Sequence, residues 1–106
     1  MSEHAFQTRV IKFLRSQGYY VVNNLGSACQ RRGIADLTVC IKGRFIAVEL
    51  KLGYNKPSHL QVYNLEAVTR CDGIGILLYD SGFDIFKDFI FNFKEDFKTE
   101  EFITMI

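Results

Sequence analysis

Apolar residues at helical spacing open the chain. Phe6, Val10, Phe13 and Leu14 follow Ser2, a suitable N-cap, and Gly18 ends the run. Residues 19–23 are rich in β-formers and predict a strand; 24–33 are polar, hold Gly26 and Gly33, and predict a loop. Two β-rich runs, 36–41 and 44–51, follow with only Lys42 and Gly43 between them, the mark of a hairpin. After a second loop at 53–56, Pro57 suits the first turn of a helix reaching about Cys71, with Leu60, Tyr63, Leu65, Ala67 and Val68 on its apolar face. Asp72 and Gly73 close that helix, and 74–79 is a short, nearly all-apolar run of the buried-strand kind. Beyond it two patterns compete. Ser81 can cap a helix bearing Phe83, Phe86 and Ile90, whereas Phe89, Phe91 and Phe93 alternate as in a strand. The order helix, strand, hairpin, helix, strand predicts an α/β fold, a mixed β-sheet flanked by helices.

A chain of 106 residues fits one domain, 1–106, and leaves no room for two independent cores. No apolar run is long enough for a bilayer and the start lacks a signal-peptide layout, so the expected location is cytoplasmic. Cys29, Cys40 and Cys71 are odd in number and widely spaced, which suits reduced, mostly buried thiols better than disulfides or a zinc cage. The near-neutral net charge of +1 hides a division. Residues 1–70 hold ten basic and four acidic side chains, residues 71–106 three basic and eight acidic. Such a chain can turn a positive face to a polyanion.

Three of the four acids in the basic part are Glu3, Asp36 and Glu49. If Lys42 and Gly43 form a two-residue turn, Ile41 faces Arg44, Cys40 faces Phe45 and, counting outward, Asp36 faces Glu49. Side chains alternate along a strand, so Glu49 and Lys51 share a side with Asp36 beside them. Carboxylates placed directly opposite repel. Two explanations stand at this point. The acids lie at an exposed hairpin end, where water screens them, or they hold a divalent cation. Oxygen ligands suit Mg²⁺ or Mn²⁺, and a metal-polarised water with an ammonium group beside it makes a hydrolytic site for phosphodiesters.

Gly33-Ile34-Ala35-Asp36, then twelve residues, then Glu49-Leu50-Lys51, resembles the PD-(D/E)XK nuclease core. The phrase from Lys42 to Lys51, with Gln61 in the next helix, is similar to the VRR-NUC family, particularly its small stand-alone viral-type members. The likeness covers roughly residues 3–79. It implies a restriction-endonuclease-like core in which Asp36, Glu49 and the Leu50 carbonyl bind Mg²⁺ or Mn²⁺ and Lys51 is catalytic. Gln61 would orient the site or touch DNA, and Glu3 would match an acid near the metal waters. Ala35 stands where these families often have proline, which leaves the ligand set intact.

The resemblance implies cleavage of branched DNA such as four-way (Holliday) junctions. Alternatives are action on flaps, single strands or specific duplex sites, and a catalytically silent DNA-binding module. Arg31, Arg32 and Lys56 flank the site and are expected to contact phosphates. No Gly-rich phosphate loop is present, so no organic cofactor is expected. The Phe-rich segment 80–106 predicts a core-completing piece or a subunit interface. With one centre per chain, the expected assembly is a homodimer, which would supply two.

Overall fold

The computed structural model describes residues 1–24 and 32–106. Helix α1 spans Glu3–Ser16, and the Ser2 hydroxyl accepts the Ala5 N–H as its cap. Strand β1 is Tyr20–Asn23, β2 is Leu37–Ile41 and β3 is Arg44–Lys51. Helix α2 covers His59–Arg70, β4 covers Ile74–Tyr79, and a single 3₁₀ turn, Asp80–Gly82, leads into α3, Phe83–Phe91. A short β5, Ile103–Met105, ends the series.

The five strands form one mixed sheet in sequence order. β1, β2 and β3 pair antiparallel, and β4 and β5 join in parallel after crossovers through α2 and α3. The hairpin turn has Lys42 at φ 50° and Gly43 at φ 80°, both left-handed, as a type I′ turn needs. That turn fixes the register: Ile41 faces Arg44, Cys40 faces Phe45 and Leu37 faces Val48. Position 36 thus stands one step beyond the last paired residue, level with Glu49.

Alternation divides the side chains between two layers. On one face Leu37, Val39, Ile46, Val48, Leu50, Ile76 and Leu78 meet Phe6, Val10 and Leu14 of α1 and Phe83, Phe86 and Ile90 of α3. The other face is thinner, with Ala35, Ala47, Leu77 and Tyr79 packed against Leu65 of α2. Glu49 and Lys51, in phase with Ala47, project to the α2 side. Thr69 fastens that helix: its hydroxyl donates to the Leu65 carbonyl and accepts the Gly75 N–H of β4.

Several expectations change. Pro57 lies outside α2, because Ser58 is the cap: its hydroxyl accepts the Gln61 N–H, so the helix starts at His59. Leu60 and Tyr63 point to solvent; Leu65 and Thr69 are the buried residues of α2. Cys40 and Cys71 are exposed, since Cys40 lies on the thinly covered sheet face and Cys71 caps α2; Cys29 lies outside the described residues. Of the two patterns after Tyr79, the helix is the one formed, capped by Gly82 without a side-chain bond from Ser81. Its aromatic residues complete the core. Phe83, Phe86 and Phe93 are buried, Phe89 and Phe97 pack against them, and Phe91 stays exposed. Of the two roles expected for this segment, core-completing piece or subunit interface, these packed residues fill the first. Among the described residues, no helix is long and apolar enough to cross a membrane.

Candidate active site

The C-terminal half of β3 delivers Glu49 and Lys51, and the chain entering β2 delivers Asp36. Asn24 holds that entry. Its backbone N–H donates to the Asp36 carbonyl at 2.8 Å, and its side-chain amide donates to the Ala35 carbonyl at 3.0 Å and the Thr38 hydroxyl at 2.9 Å. The Asp36 carboxylate in turn accepts the Leu50 N–H at 2.9 Å through Oδ2, a bond across the strand end. Both acids are buried, Asp36 at 7% and Glu49 at 1% exposure. This removes the solvated hairpin end as an explanation of the facing acids.

Glu49 Oε2 collects two partners. Gln61 Nε2 donates to it at 3.0 Å, and Lys51 Nζ stands 3.6 Å away. Glu49 Oε1 is buried with no hydrogen-bond partner. The Gln61 amide has no freedom to turn, because its Oε1 accepts the Ser58 N–H at 2.9 Å in the capping box that starts α2. The helix start and the orientation of Glu49 are thus one structure.

Electrostatics follow from this burial. Desolvation, joined by the Asp36 charge, pushes the Glu49 carboxyl up to about 8, with Lys51 opposing the rise. Desolvation also raises Asp36, against the Leu50 N–H, and the charge of Glu3 adds to the rise. Without a cation the pair resists full ionisation at neutral pH. A proton on Glu49 can be shared with Asp36 by a side-chain hydrogen bond. With both ionised, Glu49 Oε1 is a buried acceptor facing no donor, and such a pair of oxygen ligands suits a hard divalent ion.

The residues expected at the site divide clearly. Asp36, Glu49, Lys51 and Gln61 come together. Glu3 is exposed on the first turn of α1 and is felt by Asp36 through its field. Among the described residues no three His, Cys, Asp or Glu side chains converge as a metal cage, so the acids present are a pair. Leu50 contributes its N–H to Asp36. Arg32 and Lys56 are exposed on the two loops flanking the site, and Arg31 lies outside the described residues. Two polar anchors escaped the sequence: Asn24, which holds the Asp36 entry and looked like ordinary loop polarity, and, away from the acids, Gln7, buried on α1 and donating to Asn23 Oδ1 at 2.8 Å. An Asn after a strand and a Gln inside an apolar helical pattern were the available signals. Compared with protein families, with curated proteins and with solved structures, the chain matches none.

Proposed function

We propose that this chain is a metal-dependent, structure-selective DNA endonuclease with a PD-(D/E)XK core like that of the stand-alone VRR-NUC nucleases, acting on branched DNA such as four-way junctions. One observation carries the reading: two buried carboxyls at neighbouring strand ends, an ammonium 3.6 Å from one of them, and a buried carboxylate oxygen that no donor group reaches. Burying such a pair destabilises a fold that has no ion to place between them. A silent binding module would be more stable with either acid replaced, which favours the enzyme over that alternative. The element order from α1 to β4 and the seat of Gln61 on α2 add support.

Mg²⁺ or Mn²⁺ held by Asp36, Glu49 and the Leu50 carbonyl would polarise a water and neutralise phosphoryl charge. The remaining work belongs to the side chains. Hydrolysis puts a water oxygen on phosphorus and releases a sugar hydroxyl, and Lys51 supplies positive charge where the phosphoryl oxygens gain negative charge. Gln61 keeps Glu49 turned toward the site, and the Leu50 N–H does the same for Asp36. Arg32 and Lys56 contact flanking phosphates, contributing affinity without sequence preference.

The deciding experiment is cleavage of plasmid and labelled four-way-junction DNA in Mg²⁺, in Mn²⁺ and in EDTA. Cleavage is expected with either metal, none in EDTA, and only background for Asp36→Asn and Glu49→Gln. Full activity in EDTA, or in both variants, would sink the proposal. Resolving a junction takes two cuts, so the active form is proposed to be a homodimer. Sedimentation should give a dimer at micromolar concentration; a monomer that still cuts junctions symmetrically speaks against pairing.

A further inference from the structure

The loop between Lys51 and Gln61 is bounded at both ends by side chains that touch Glu49 Oε2. Its backbone is firmly held. The Leu52 side chain packs against the core, the Gly53 N–H donates to Asp80 Oδ1 at 3.0 Å, and the Asn55 N–H donates to the Leu52 carbonyl at 3.1 Å. The Tyr79 hydroxyl donates to the Asn55 carbonyl at 2.7 Å, and the Ser58 capping box closes the far end. Between these anchors stands Tyr54, whose side chain touches almost nothing: the residue is 94% exposed. The other exposed aromatics, Tyr20, Phe45, Tyr63 and Phe91, keep more contact, at 70%, 52%, 51% and 59%. Tyr54 is thus an aromatic ring on a fixed stem that contributes little to the fold.

Three residues of chain span at most about 11 Å, so the Tyr54 backbone lies within that reach of the Lys51 backbone. Successive bases along one strand rise by about 3.4 Å, so a strand with its phosphate at Lys51 that runs along this loop would carry its next few bases past Tyr54. We propose that Tyr54 is a stacking platform for an unpaired base beside the scissile phosphate, and that this contact selects strands with unstacked bases over continuous duplex. The inference rests on the nuclease reading above and adds the source of its structural selectivity. A tyrosine face stacks on any base, but only after that base leaves its own stack; this is costly within a duplex and cheap at a branch, flap or single strand. The anchored backbone means little ordering of the loop is required on binding. Lys56, exposed two residues on, adds positive charge for the backbone of the same strand.

The test uses oligonucleotides carrying 2-aminopurine, unpaired at a branch point or paired within a duplex. In EDTA, where binding is read without cutting, wild type should quench the unpaired probe, Tyr54→Phe should retain the quenching and Tyr54→Ala should lose it. In Mn²⁺ the ratio of kcat/KM for the branched substrate over the duplex should fall about tenfold in Tyr54→Ala, mostly through KM, and recover in Tyr54→Phe. The thermal midpoint of Tyr54→Ala should stay near wild type, which separates lost stacking from lost folding. Unchanged quenching together with an unchanged ratio in Tyr54→Ala would overturn the proposal. A wild type that cuts nothing would defeat the nuclease reading instead, and the fluorescence would still decide whether Tyr54 stacks.

Discussion

Lys51 and Gln61 reach the same oxygen of Glu49 by different routes, and their substitutions should separate accordingly. On the proposed nuclease reading Lys51 would stand where the reaction builds charge, so Lys51→Ala should lose about 10²–10³ in kcat while DNA binding survives. Gln61 is an orienting group, locked between the Ser58 N–H and Glu49 Oε2. Gln61→Ala frees the carboxylate and removes half of the capping box, so about 10- to 100-fold should go from activity, together with roughly 1 kcal/mol of stability. Single-turnover kinetics and denaturant unfolding read the two effects apart. If Gln61→Ala cost stability and left turnover untouched, the residue would be a helix cap and nothing more. Raising the metal concentration should partly rescue Gln61→Ala and leave Lys51→Ala unmoved, because only the former loosens a ligand.

At the scale of elements, the site depends on how closely α2 approaches the loop leading into β2. Gly33 has φ 80°, and a Cβ placed there would lie 2.5 Å from Leu60 Cγ and 3.0 Å from the Leu60 backbone carbon. Gly33→Ala therefore combines left-handed strain with a clash that pushes the first turn of α2 outward, a loss on the order of 1–3 kcal/mol. Because Gln61 rides on that turn, cleavage should fall by more than the unfolded fraction explains, measured as activity per folded molecule. This dependence also explains what the sequence revealed. The hairpin was legible because a two-residue turn dictates register by itself, and Gly43 marked it; once Ile41 faced Arg44, the level of Asp36 and Glu49 followed by counting. The burial of both acids was not legible, since it depends on α2 folding back over the sheet after a crossover. Pro57 suggested a helix start two residues too early, because the Ser58 capping bonds set the start at His59. β5 was hidden for a similar reason. It is three residues long, and its partner β4 lies on the far side of α3, so its strand state comes from tertiary pairing and not from local preference.

The whole molecule carries the electrostatic cost of its site, and that cost has a measurable sign. Glu49 is raised to about 8 by desolvation and by Asp36, and Asp36 is raised as well, so the folded state holds protons that the unfolded chain has released above the ordinary carboxylate range. Stability from this source is present in full below about pH 4.5 and is lost as pH climbs toward 8, opposite to the behaviour of a salt-bridged acid. In EDTA the thermal midpoint should therefore fall between pH 5 and pH 8, and Glu49→Gln, which keeps an acceptor for Gln61 without the charge, should flatten that slope and exceed wild type at pH 8. If the acid pair is the proposed cation site, Mn²⁺ should reverse the trend by occupying the place that protons vacate. At a hundredfold excess over Kd a ligand confined to the folded state contributes about 2.7 kcal/mol, on the order of 10 °C for a chain this size. That gain should be large at pH 8, small at pH 5 where protons compete, and absent in Glu49→Gln. Scanning calorimetry across this grid tests the acid pair without any nucleic acid present. A midpoint in EDTA that stays level with pH, or a Mn²⁺ gain equal in wild type and Glu49→Gln, would mean that the two carboxyls are not the cation site, whatever else the protein cleaves.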